Sequence, residues 1–258
     1  MSAHTPGAQF STEIARRLRE LDRLAATGGL DDAVEILACA LRGDGVIQTF
    51  GTGHSEAFAM ELAGRAGGFI PSHALRLSDL VLMGRYDKKW LGTPEFERSP
   101  DVADALYELY DIRPEDCFVI ASNSGANGST VGLALRAKAE GHAVIAVTSL
   151  AHSSRVESKH PSGKRLFEVA DVVIDNLAPF GDATVDLSSG PKVGPVSSIT
   201  AAYIAQHLTL GAAAALTAED LRPPVFLSAN IPGGDEHNVS LEARYGRRLN
   251  PFVTVPAA

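Results

Sequence analysis

From Glu13 onward the apolar residues Ile14, Leu18, Leu21 and Leu24 recur at spacings of four and three, which predicts an amphipathic helix ending at Gly28-Gly29. A second helix is predicted over Asp31 to Arg42. The period then changes. Val46 to Phe50 is short, β-branched and aromatic and stops at Gly51, the pattern of a buried strand feeding a glycine loop. A helix follows from about Glu56 to Ala66. Phe69 to Leu77 reads as a second strand, and Pro71 confines it to an edge or an irregular course. Gly84 to Pro100 is polar and punctuated, so it is expected to be a surface excursion. Beyond a helix at Asp101 to Tyr110, Cys117 to Ala121 repeats the buried-strand pattern, with a Ser/Asn/Gly loop and a helix from Thr130 to Glu140 after it. His142 to Thr148 and Asp171 to Asp175 complete the strands. Alternating strands and helices need crossover connections, so the expected architecture is α/β: a three-layer α/β/α sandwich around a mostly parallel five-stranded sheet.

Residues 178–196 form a long Gly, Pro and Ser-rich loop ahead of a strong helix, Ser198 to Leu216, and loops of that length are usually functional or disordered. Val225 to Asn238 is polar and turn-rich between apolar anchors. There is no internal repeat or Pro-rich linker. The expected organisation is an N-terminal helix over 1–30, a ligand-binding domain over 31–216 and a C-terminal extension over 217–258 packed on the same domain.

The 258 residues, 45% hydrophobic and 21% charged, describe an ordinary globular chain. Its net charge of −8, with basic residues only in pairs such as Arg16-Arg17 and Lys164-Arg165, argues against nucleic-acid or anionic-membrane partners. Cys39 and Cys117 read as small buried hydrophobes in no metal or redox spacing, and no disulfide is expected. The N-terminus lacks a cationic start with an apolar run, and Leu210 to Leu216 is too short to span a bilayer, so a cytoplasmic location is expected.

Two loops carry the candidate chemistry. Gly51-Thr52-Gly53-His54-Ser55 lies between a buried strand and a helix, where backbone N–H groups can receive a phosphate or carboxylate. It lacks the third glycine and the acidic residue of a dinucleotide fingerprint, and a plain strand-to-helix turn would look the same. Ser122-Asn123-Ser124-Gly125-Ala126-Asn127-Gly128-Ser129-Thr130 repeats the arrangement with hydroxyls and amides and without the lysine of a P-loop. Two such loops at the carboxyl ends of parallel strands converge on one crevice.

These two loops, with the strand end Ala146-Val147-Thr148-Ser149, resemble the sugar isomerase (SIS) domain superfamily over about Asp31 to Leu216. Ser158 to Leu166, Asp171 to Asn176, Lys192 to Pro195, Ser228-Ala229-Asn230 and Gly234 to Asn238 resemble more narrowly an uncharacterised bacterial single-domain group of it. The resemblance implies a flavodoxin-like doubly wound fold and a phosphorylated sugar as ligand, in a homodimer with the site near the subunit interface. It places Ser55, Ser122, Ser124 and Thr130 on the phosphate, with Gly51, Gly53 and Gly125 enabling the backbone approach.

Isomerases of this kind move a proton between C1 and C2 with a carboxylate and open the ring with a histidine. Glu56, first on the helix after the phosphate loop, is the candidate base, although the helix dipole alone favours an acid there. Glu61 is a weaker candidate. His54 is placed for ring oxygens or phosphate, or braces its loop. His237 and His160 lie in polar turns where function is favoured over packing, His207 reads as a satisfied core or interface histidine, and His4, His73, His142 and His152 carry no argument.

Phosphoheptose isomerases of the superfamily hold a metal. Here the helix after Glu56 has no histidine, Gln206 and His207 are adjacent and diverge, and the consecutive Asp235-Glu236-His237 chelates poorly, so neither metal nor cofactor is expected. The resulting expectation is an aldose-ketose isomerase of a sugar phosphate or amino-sugar phosphate. The alternatives are a lyase resembling the N-acetylmuramic acid 6-phosphate etherases and a non-catalytic phosphosugar sensor, the latter disfavoured by the missing helix-turn-helix and the acidic charge.

Overall fold

The computed structural model describes residues 5–249. Helices α1 (Pro6–Ala26) and α2 (Asp31–Arg42) precede β1 (Ile47–Gly51), α3 (Glu56–Leu62) and β2 (Ser72–Leu75). Next come α4 (Leu77–Leu82), α5 (Pro94–Arg98), α6 (Val102–Tyr107), β3 (Cys117–Ala121), α7 (Gly128–Ala139), β4 (Val144–Thr148), α8 (Leu150–Ser153) and β5 (Val172–Asp175). A short hairpin of β6 (Ala183–Val185) and β7 (Val193–Pro195) leads to α9 (Ser197–Ala218), and α10 (Gly234–Glu242) lies near the C-terminus. The main sheet runs β2-β1-β3-β4-β5 with every pair parallel, the doubly wound order expected.

Side chains alternate across the strands, so each strand feeds two cores. Cys117, Val119 and Ala121 of β3 and Ile145 and Val147 of β4 pack with Leu37, Phe58, Ile204 and Leu208 under α2, α3 and α9. Phe118 and Ile120, with Val144 and Ala146, face the opposite layer among Leu80, Phe96, Leu106 and Leu133. Because both faces are covered, the strands are apolar throughout rather than alternating.

β2 is an edge strand, as Pro71 requires. Four expectations need correction. Gly84–Pro100 is not a bare excursion: Tyr86, Trp90 and Phe96 pack on one another, and Phe96 is sealed in the second core. Residues 178–196 contain the antiparallel β6-β7 hairpin, and 225–238 enters α10. The helix after Glu56 stops at Leu62, where Ala63 turns extended ahead of the Gly64 and Gly67 positions of positive φ.

Cys39 is exposed rather than buried, and both cysteines are free. The apolar helix also proves longer than expected: α9, at 22 residues, is long enough and apolar enough to cross a bilayer. Its packing accounts for that composition, since Ile204, Ala205, Leu208 and Ala212 are sealed against the first core. The C-terminal extension is pinned to the amino ends of β1 and β3. Buried Asp116 accepts hydrogen bonds from the Val46 N–H (2.8 Å), Gln48 Nε2 (2.9 Å) and the Arg113 N–H (3.2 Å), and pairs with buried Arg248.

Candidate functional site

The strand order reverses between β1 and β3, where an open α/β sheet leaves a crevice at its carboxyl edge. The loops following both strands meet there. Gly51 closes β1 so tightly that a Cβ would lie 2.2 Å from the Ser55 carbonyl oxygen, so only glycine lets the chain fold back into α3. On the other side the chain leaves β3 through Ser122, whose Oγ accepts the Gly125 N–H at 3.1 Å. Gly125 has φ +59°, and Thr148 Oγ1 donates to the Ser122 carbonyl at 2.7 Å, tying this loop to the end of β4.

Between them lies a cavity of about 460 Å³. Its walls include Gly53, His54 and Ser55 from the first loop, and Ser122, Asn123, Ser124 and Asn127 from the second. Hydroxyls, amides and backbone N–H groups at this point suit a bound anion. Apart from Pro195, the remaining wall comes from segments that carried no motif: Glu97 of α5, His152 of α8, Asp182 ahead of the hairpin, and Ser197 and Ser198 at the start of α9.

Glu97 is the most consequential of these. Its carboxylate lies against Gly53, where a Cβ would sit 3.4 Å from Oε1. Asn127 Nδ2 donates to its Oε2 at 3.3 Å, and Ser129 Oγ donates to its backbone carbonyl at 2.6 Å. Lys159 Nζ in turn donates to Asn127 Oδ1 at 3.4 Å, setting a cation one amide away from the carboxylate. Sequence reasoning missed Glu97 because α5 is five residues long and lies in a stretch without apolar periodicity.

Several predicted residues lie elsewhere. Glu56 faces a neighbouring cavity of about 210 Å³ across the Gly51–Gly53 loop, 3.7 Å from Arg76 Nε. Glu97 lines both cavities. Glu61 pairs with Arg65 and accepts from Gln206 Nε2 at 2.6 Å, so it serves the α3–α9 contact. Thr130 is displaced from its predicted role: it lies in the first turn of α7, fully buried, and it does not line the crevice. His237 is also displaced, because the Val225 carbonyl holds its Nε2 at 3.0 Å beside the Phe69–Val225 bridge, at the amino end of β2. His160 braces its own turn through Ser162, 2.9 Å away. His207 lies 3.4 Å from Asp22 on the side of α9 that meets α1. Among the described residues no three His, Cys, Asp or Glu side chains converge as a metal-ligand set.

The SIS domain family profile matches residues 9–149. The chain belongs to the SIS domain family. The match begins within α1 and ends at the close of β4, so it includes both crevice loops. A UPF0309 protein of Brucella canis is 37% identical over 245 residues, covering 95% of this chain and 97% of its own length. One from Listeria monocytogenes is 35% identical over 244 residues, covering 94% and 98%. Among solved structures, phosphoheptose isomerase from Neisseria gonorrhoeae has a TM-score of 0.49 at 20% identity, covering 78% of this chain and 93% of that one.

Proposed function

We propose that this SIS domain binds a phosphorylated sugar in the crevice and interconverts its aldose and ketose forms, in the cytoplasm and as a homodimer. The phosphate would rest on Ser55, Ser122 and Ser124 and on the backbone N–H groups of both loops, with Gly51, Gly53 and Gly125 allowing the approach. One observation carries the reading. The hydroxyl-lined loops share a single cavity with His54 and with the carboxylate of Glu97, which has no ion-pair partner among the described residues. An enediolate path needs one base that reaches both C1 and C2, and a carboxylate beside the phosphate seat suits that role. Glu97 takes it in preference to Glu56, which faces the adjoining cavity and Arg76. In this reading His54 assists ring opening.

The dimer reading rests on α9. Beyond the side buried in the core it exposes Ile199 and Leu210, and α3 beside it exposes Met60. An apolar face of this kind on a core helix suits a two-fold contact.

The test is isotope exchange in deuterated water with fructose 6-phosphate, glucosamine 6-phosphate and arabinose 5-phosphate. The parent protein is expected to incorporate deuterium at the carbon next to the carbonyl, Glu97→Gln to lose incorporation while still binding, and Glu56→Gln to retain it. Firm binding with no exchange by the parent would favour a sensor, and loss of a C3 substituent from an N-acetylmuramic acid 6-phosphate probe would favour a lyase.

A further inference from the structure

β4 ends at Thr148 and runs directly into α8, which brings His152 to the crevice wall. The Gly181 N–H donates to His152 Nδ1 at 3.0 Å. A ring nitrogen that accepts a backbone N–H cannot itself hold a proton, so the neutral imidazole carries its proton on Nε2. Phe180 stacks on the ring at 4.9 Å between centroids and 22° between planes, which fixes the plane as well as the tautomer. Nε2 has no hydrogen-bond partner among the described residues, yet it is not one of the polar atoms sealed from solvent. Burial holds the His152 pKa below its ordinary value, against the opposing charge of Asp182, which favours the neutral ring.

The segment that sets this tautomer is itself held. Gly181 and Asp182 have φ of +79° and +68°. The Asp182 carboxylate accepts the Val196 and Ser197 N–H groups at 3.0 and 2.8 Å and the Ser197 hydroxyl at 2.6 Å, locking the segment onto the first turn of α9.

We propose that His152 is a specificity-determining residue of the crevice, its Nε2–H donating a hydrogen bond to an oxygen of the sugar, with the Gly181 N–H as the positioning group that keeps the proton on that nitrogen. The inference rests on the phosphosugar reading and deepens it. The serine loops supply neutral donors for the phosphoryl oxygens, so the His152 donor acts on the sugar half and contributes nothing to inorganic phosphate.

Two substitutions separate donation from bracing, because an Asn side chain mimics Nδ1 and a Gln side chain mimics Nε2. Calorimetry on the full chain compares His152→Asn and His152→Gln with the parent, using inorganic phosphate and the three sugar phosphates named above. For the tightest sugar phosphate, His152→Asn is expected to lose roughly five- to tenfold in affinity and His152→Gln to stay within about twofold, with inorganic phosphate unchanged in both. Rescue by Asn and loss with Gln would mean that His152 only braces Gly181, and would overturn the proposal, as would three equal affinities. Nitrogen-15 spectra of the free parent provide a ligand-independent check: a protonated Nδ1 on His152, assigned by its absence in His152→Asn, would also overturn it. If the parent binds no sugar phosphate more tightly than inorganic phosphate, the phosphosugar reading itself fails, and this inference with it; the variant comparison fails separately.

Discussion

Removing the hydroxyls of Ser55 and Ser124 together separates ligand contact from structural support within the proposed phosphate seat. Ser55 makes no capping hydrogen bond at the start of α3, and Ser124 Oγ accepts only a long contact from the Ala126 N–H at 3.4 Å. Neither hydroxyl does much for the fold, so Ser55→Ala with Ser124→Ala is expected to change stability by less than about 0.5 kcal/mol. Against a dianionic phosphate each hydroxyl is worth about 1.5 kcal/mol, because hydrogen bonds to charged groups are the stronger kind. The pair therefore accounts for about 3 kcal/mol, or roughly a hundredfold in affinity. Ser122 supplies the contrast: its Oγ is the acceptor of the buried Gly125 N–H, so Ser122→Ala is expected to cost about 1 kcal/mol of stability as well as affinity. Calorimetric titration with inorganic phosphate and fructose 6-phosphate, beside urea unfolding of each variant, measures both quantities. A double variant that binds as tightly as the parent would refute the seat. One that unfolds as readily as Ser122→Ala would refute the assignment of those hydroxyls to the ligand rather than the loop.

Arg248→Met leaves buried Asp116 with three neutral donors and no cation, so it is expected to destabilise by about 3 kcal/mol in urea unfolding. His73 has its pKa lowered to about 4 by burial, helped by the charge of Arg76, whereas an unfolded histidine titrates near 6.5. The unfolded chain therefore binds a proton first as pH falls. The stability that His73 provides is whole above about pH 6.5 and is lost progressively down to about pH 4, by about 3 kcal/mol. His73→Phe, which keeps a ring beside Tyr110, is expected to flatten that slope in unfolding measured across the window. Leu210→Glu charges the exposed apolar side of α9 and is expected to convert a dimer to a monomer by light scattering at micromolar concentration, with the secondary structure unchanged by circular dichroism.

The sheet was legible because burial on both faces leaves strands as continuous apolar runs. Val46 to Phe50 and Cys117 to Ala121 can hardly be read otherwise, and the glycine and serine loops after them mark the carboxyl edge. The other walls of the crevice were not legible, for reasons that differ by residue. Glu97 sits on a helix too short to show a period, and it is held by Asn127 and Ser129, some thirty positions on. His152 follows a strand without a glycine motif, and its partner Gly181 lies in a segment that reads only as loop. Thr130 and His237 show the converse error. The family resemblance put one on the phosphate, yet the first turn of α7 carries it into the core, and a polar setting favoured function for the other, yet the Val225 carbonyl accounts for its ring. Pattern reports the period of an element. It does not report which of its turns faces a cavity.

The charges around the crevice bear on how it could choose a ligand. None of its lining residues is Lys or Arg, and two, Glu97 and Asp182, are acids. A seat for a phosphate built without a cation has to work through hydroxyls and backbone N–H groups, which recognise the tetrahedral oxygens at close range but attract the anion weakly from afar. Asp182 is spent on the first turn of α9, and Lys159 reaches Asn127 rather than the cavity. Besides His54, the groups with unused capacity toward the proposed sugar include the Glu97 carboxylate, as acceptor, and the His152 Nε2–H, as donor. An acceptor and a donor on walls built by different elements fix the sugar's orientation once the phosphate is seated, because the wrong anomer or carbonyl position leaves one of them unpaired in a partly buried site. On the proposed phosphosugar reading, phosphate alone is expected to bind weakly in such a crevice, and discrimination to rest on the sugar half, on the very side chains that carry no motif.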